Sequence, residues 1–111
     1  MSAKNNQPDW DKIAEKFDIF LPQLAPVGEA LLEVLAVRPG DKVLDIASGT
    51  GEPALTLAKR QPHAQITGID AADGMVRVAQ KKVAAERLQN VAFRAMPAER
   101  LAFADDAFDK I

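Results

Sequence analysis

Residues 43–54 read VLDIASGTGEPA. The run from Lys42 to Ala47 is too short for a helix and fits a buried strand. It closes through Ser48-Gly49-Thr50-Gly51, and helical spacing resumes from Pro53 to Arg60. A strand that turns through glycines into a helix serves three chemistries: a phosphate cradle, a dinucleotide seat, or a cofactor site without phosphate. A triphosphate loop needs G-x-x-x-x-G-K-[ST]. No lysine follows Gly51 until Lys59, which removes that option. The dinucleotide pattern is met, because Gly49-Thr50-Gly51-Glu52-Pro53-Ala54 satisfies G-x-G-x-x-[GA]. Asp70 also lies near the offset of a ribose-binding acid.

Outward from this loop, the chain reads as alternating elements. Gln65–Asp70 is a second strand, rich in Ile and Thr, and 91–95 a third. Between them Asp73 is placed to cap a long helix through Arg87, with Met75, Val76, Ala79 and Val83 inward. Phe108-Asp109-Lys110-Ile111 resembles the opening of a fourth strand. On the other side, Trp10, Ile13, Phe17 and Leu21 recur at three- and four-residue steps, the mark of an amphipathic helix that Pro22 should stop. A second helix is expected from Pro26 to about Ala36, with Val27, Leu31, Val34 and Leu35 on one face. Arg38-Pro39-Gly40-Asp41 then makes a turn. The expected fold is α/β: a Rossmann-like, doubly wound parallel sheet of three strands plus the start of a fourth, behind two leading helices. Its expected divisions are a disordered tail over 1–7, a helical segment over 8–38 and the sheet domain over 39–111.

The bulk numbers agree with one globular domain. The chain has 111 residues, of which 48% are hydrophobic and 27% charged. A net charge of -2 argues against a nucleic-acid module, which would carry a basic face. With no cysteine and the single His63, thiolate and histidine-cluster metal sites are excluded. No apolar run approaches the ~20 residues that span a bilayer. MSAKNNQPDW lacks the apolar core of a signal peptide, so a cytoplasmic location is the expectation.

Charge separates the two surviving readings of the glycine loop. A pyrophosphate wants bare amides at a helix N-terminus and no adjacent anion. Here Asp45 ends the strand, Glu52 opens the helix, and residues 43–58 contain no Lys or Arg. Such a loop favours a ligand with a ribose and a cationic ammonium or sulfonium, and S-adenosylmethionine has both. Glu52 could equally do no more than favour the helix dipole. The pairs Lys81-Lys82 and Glu86-Arg87 read as an exposed helical face.

With these residues in hand, the chain from about Trp10 onward resembles the class I S-adenosylmethionine-dependent methyltransferases, in the small-molecule branch that includes quinone-ring C-methyltransferases. Asp45-Ile46-Ala47-Ser48-Gly49-Thr50-Gly51 is similar to the family's acid-x-Gly-x-Gly-x-Gly, with Ala47 in place of the first glycine; the methyl is a mild departure if φ there is negative. Ile66-Thr67-Gly68-Ile69-Asp70, followed by Ala71 and Met75, matches a second motif. Met96-Pro97-Ala98-Glu99-Arg100-Leu101-Ala102-Phe103 resembles a third, with Pro97 where the family usually has an aspartate that meets adenine.

The resemblance implies a cofactor site made of Asp45, Ala47, Ser48, Gly49, Gly51, Asp70, Ala71, Met75, Ala98 and Glu99. In it, Gly49 and Gly51 pass under the methionine tail and Asp45 orients its amino group. Asp70 takes both ribose hydroxyls, Met75 lies against adenine and the Ala98 amide donates to the ring. A leading helix bearing Trp10 and Phe17 can cover such a site, although core packing is the plainer reading of both. The family's acceptor-binding groups lie in later segments, so no catalytic residue is assigned and residues 1–111 are expected to be inactive by themselves. The unknown methyl acceptor is expected to be a small molecule. The central strand should present an apolar edge that favours self-association. Two alternatives stand beside this reading: a stand-alone, non-catalytic cofactor-binding or oligomerising module, and an NAD-binding Rossmann fragment.

Overall fold

The computed structural model describes residues 9–104 and 106–111. The tail expected over 1–7 lies outside them. Two helices lead: α1, Trp10–Phe17, and α2, Leu21–Leu35, joined by a 3-10 turn at Asp18–Phe20. Strand β1, Lys42–Ile46, is followed by α3, Ala54–Arg60, then β2, Gln65–Asp70, then α4, Asp73–Glu86, then β3, Val91–Ala95.

The three strands are parallel in the order β1-β2-β3, with Val43 opposite Ile66 and Ile66 opposite Val91. On the outer side of β1, Lys110 forms a single parallel bridge to Val43. The Leu44 amide donates to the Lys110 carbonyl at 3.0 Å. The chain therefore reverses its direction of growth at β1, which is the strand that carries the glycine loop. Open α/β sheets bind ligands at this kind of switch point, beyond the strands' carboxyl ends.

One face of the sheet packs Val43, Ile66, Val91 and Phe93 against Leu55, Leu57, Ala58, Val76 and Ala79. Leu44, Ile69 and Met96 form a smaller cluster on the other face, backed by Phe103 and Phe108. Gly68 leaves room for the Phe93 ring, since a Cβ there would lie 2.4 Å from Cδ1. The Asn90 side-chain amide reaches the carbonyls of Ala58, Gln61 and Ala64 at 3.0–3.1 Å and ties the end of α3 to the entry of β2.

Two expectations about the helices are corrected. Pro22 does not stop a helix; it lies in the first turn of α2, where the missing N–H is one of the unpaired donors anyway. The break comes earlier, at the 3-10 turn, and Pro26 sits inside α2 rather than at its start. Asp73 is not the cap of α4. The cap position is Ala72, and the Gly74 amide donates instead to Asp11 of α1, a cap supplied from 63 residues away.

Candidate functional site

The carboxyl ends of the strands and the loops after them enclose a cleft of about 410 Å³. Its walls include Ala47, Gly49, Asp70, Ala71, Met75, Ala98 and Glu99, seven of the ten residues singled out from the sequence. Trp10, Ile46, Ile69 and Met96 complete it and were not among them. All four had a readable signal: Ile46 and Ile69 end or nearly end a strand, Met96 follows one, and Trp10 belongs to the leading helix that could cover such a site, although core packing was the plainer reading.

The remaining three candidates sit elsewhere. Gly51 is absent from the cleft wall and serves the turn. Its φ is +117°, and an added Cβ would lie 2.5 Å from Leu55 Cδ1. Ser48 is 3% exposed and borders a second cavity of about 550 Å³ between the glycine loop and α2. Ala47 and Gly49 line both cavities, so the two meet at the loop. Asp45 borders a smaller, mostly apolar hollow that Leu32, Pro53 and Leu57 also line.

The loop's own amides are largely spent. Gly49 donates to Asp70 Oδ2 at 3.0 Å, Ser48 to the Ile69 carbonyl at 2.8 Å, and Gly51 to the Ser48 carbonyl at 3.0 Å. Asp70 Oδ1 accepts from the Ala72 amide at 2.9 Å. Each Asp70 oxygen thus holds one backbone partner and keeps a further lone pair for a ligand hydroxyl.

Asp45 is the electrostatic outlier. Its Oδ2 is buried without a hydrogen-bond partner, as is Ser48 Oγ. Burial first, and then the Asp70 charge, push the Asp45 carboxyl up to about 6. A buried acceptor that finds no donor within the protein is a strong place for a cationic donor from outside.

Two expectations, at Ala47 and Lys82, are corrected here, and the open reading of Glu52 gains an observation. Ala47 has φ +59°, the left-handed region, so the methyl costs about 1–2 kcal/mol where a glycine would cost little. Glu52 Oε1 accepts from the Thr56 amide at 3.0 Å and from its hydroxyl at 2.8 Å; its observed partners are those of a helix cap. Lys82 is not part of a solvated face. It pairs with Asp18 at 2.7 Å, and Asp18 in turn accepts from Thr50 Oγ1 at 2.6 Å, which brings one paired cation to the glycine loop.

Fold and cleft together define a Rossmann-like domain whose glycine loop is flanked by the carboxylates of Asp45, Glu52 and Asp70. The particular family follows from comparison: a methyltransferase domain family matches residues 43–111, and the chain belongs to it. The chain is 38% identical over 109 residues to the demethylmenaquinone methyltransferase of Thermotoga maritima, covering 92% of this chain and 44% of that protein. It therefore spans less than half the length of that curated relative. A solved Methanococcus maripaludis protein, named for S-adenosyl-L-methionine-dependent methyl transfer, superposes with a TM-score of 0.77 at 22% identity, covering 95% of this chain and 50% of its own. PKMT2 from Rickettsia typhi, solved in complex with AdoHcy, gives a TM-score of 0.59 at 28% identity, covering 64% of this chain and 14% of that one.

Proposed function

We propose that these residues form the donor-binding part of a small-molecule methyltransferase, with S-adenosylmethionine as its cofactor. The observation that carries the reading is the cleft at the strand ends that Ala47, Gly49 and Asp70 line; the unpartnered Asp45 oxygen lies outside that wall, close enough for the Asp70 charge to act on it. The cofactor brings an ammonium and a ribose, and its sulfonium supplies a methyl carbon already activated for displacement. Asp45 would accept from the ammonium, and Asp70 from the ribose hydroxyls with the lone pairs its two amides leave open. Ala47 and Gly49 would floor the amino-acid tail, while Met75, Ala98 and Glu99 border the nucleoside. A pyrophosphate finds little here, since the Ser48, Gly49 and Gly51 amides already donate within the protein.

Methyl transfer rests largely on holding donor and acceptor in line. We assign no acceptor clamp and no general base within this stretch, and we expect it to bind the donor without turnover by itself. For the whole protein we infer a small acceptor of the demethylated quinone kind, after the relative's name, and a cytoplasmic location. Among the described residues, no helix is long and apolar enough to cross a membrane. Strand pairing on the outer side of β1 is limited to the Val43–Lys110 bridge among the described residues. We infer self-association along that edge, and sedimentation that stays monomeric at every concentration would count against it.

Calorimetric titration with S-adenosylmethionine, S-adenosylhomocysteine and NAD tests the assignment. Both adenosyl ligands should bind, taking up fewer protons than the free site and losing affinity below about pH 6, because a cation draws Asp45 back toward its charged form. Tight NAD binding with no adenosyl binding overturns it.

A further inference from the structure

Asp18 occupies the 3-10 turn between the leading helices, yet its carboxylate belongs to the sheet domain. One oxygen accepts from Thr50 Oγ1 at 2.6 Å, and the other pairs with Lys82 Nζ on α4 at 2.7 Å. Thr50 is 1% exposed and stands between Gly49, whose amide is held by Asp70, and Gly51. Asp18 and Asp70 thus hold two adjacent residues of the glycine loop, one through the Thr50 hydroxyl and the other through the Gly49 amide. Burial works against the charged form of Asp18, but the Lys82 and Thr50 bonds outweigh it and hold the carboxyl below its ordinary range. The turn is placed by a second contact. Asp11 of α1 accepts from the Gly74 amide, and Gly74 admits this approach because a Cβ there would lie 2.8 Å from the Asp11 carbonyl oxygen.

We propose that Asp18 is a positioning residue for the cofactor. By holding Thr50 and Lys82 together, it fixes the glycine loop against α4 so that the loop meets the cofactor's amino-acid tail already formed. An exposed ion pair between Asp18 and Lys82 alone would contribute little. What raises the stake is the Thr50 hydroxyl, which without Asp18 would be left buried and unpaired. Preorganisation of this kind shows in affinity, since the loop would otherwise be ordered at the moment of binding.

The inference rests on the adenosyl reading above, and the test separates the two. S-adenosylhomocysteine and adenosine are titrated into the wild-type chain, D18N, T50V and T50S, by calorimetry and by emission of Trp10, the single tryptophan, which lines the cleft. D18N should weaken S-adenosylhomocysteine roughly tenfold, the scale of a lost charge-assisted hydrogen bond. Adenosine, which lacks the tail, should change by less than about twofold on the same reasoning. T50V should follow D18N, T50S should restore wild-type affinity, and the double variant D18N/T50V should be no weaker than D18N. Equal losses for both ligands would mark Asp18 as merely structural and overturn the proposal, as would S-adenosylhomocysteine binding unchanged in D18N. If D18N fails to fold, the contrast between T50V and T50S decides alone. A wild-type chain that binds neither ligand defeats the cofactor reading itself, a result distinct from the others.

Discussion

Helices α2 and α3 both lie over the Val43 face of the sheet, and they are held there very differently. Among its seven residues α3 buries Ala54, Leu55, Leu57 and Ala58. None of the fifteen residues of α2 is fully buried. Only Leu32 and Leu35 of α2 pack against the core, while Val27 is 69% and Val34 82% exposed. The polar ties of α2 sit near the surface, through Glu29 to Arg60 and the Leu35 carbonyl to Lys110 Nζ at 2.8 Å. The difference is one of topology. As the crossover between two paired strands, α3 is fixed at both ends by the sheet. Among the described residues, the leading segment is tied to the rest through Leu32 and Leu35 and through Asp11 and Asp18. Apolar burial is concentrated in the sheet unit, and the leading helices add to it little beyond Ala14, Leu32 and Leu35.

The largest effect that this contrast predicts is at Gly51. Substitution by Ala forces a methyl into φ +117° and onto Leu55, with Cβ 2.5 Å from Cδ1. Strain and overpacking together should cost about 3 kcal/mol or more, read as a lower midpoint in urea unfolding. A loss below about 1 kcal/mol would mean that the loop relaxes easily and that the core is not the rigid half.

What could be read beforehand follows the same division. The strands and α3 were legible because apolar runs, a glycine turn and a breaker at Gln61-Pro62 all point to one answer. The boundary between α1 and α2 was not, since Pro22 reads as a stop and Pro26 as a start, whereas Pro22 falls in the tolerant first turn of α2 and Pro26 inside the helix. The cleft was largely legible because its residues fall at strand ends, within a few positions of Asp45, Asp70 and Met96. Asp11, Asp18 and Lys82 were not. Each acts across 32 or more residues, and no local periodicity marks a carboxylate that caps a distant helix. The sign of φ at Ala47 was also out of reach, because the residue type there argues for the opposite backbone.

A smaller effect separates stability from function within the core itself. The Asp45 carboxyl is raised to about 6 by burial and by Asp70. Its folded form therefore binds a proton more tightly than the unfolded chain, in which the value is 3.8. The stability that goes with this proton is fully present below about pH 4 and is lost as pH rises through about 6. At pH 7, D45N should stabilise the fold by roughly 2 kcal/mol, less than the two-unit shift would give if the group were wholly buried. At pH 3.5 the gain should vanish. The same variant should lose affinity for S-adenosylmethionine. Urea unfolding at the two pH values checks the first part, and calorimetry the second. A gain that is equal at both would remove charge as the cause.

The smallest effects belong to α2, and they test whether its outer face is as free as its exposure indicates. Gly28 sits inside this helix, where an added Cβ meets only Pro53 Cβ at 3.5 Å, an ordinary contact. G28A should therefore gain up to about 1 kcal/mol from helix propensity, opposite in sign to the same change at Gly51. V34K on the 82% exposed position should move the unfolding free energy by no more than about 0.5 kcal/mol. Because Lys and Val differ little in helix propensity beside the effect of burial, a V34K loss of about 2 kcal/mol would mean that this face is covered in solution. Repeating the measurement across protein concentrations then tells which chain covers it: a loss that grows with concentration comes from a second copy, and one that does not comes from the same chain.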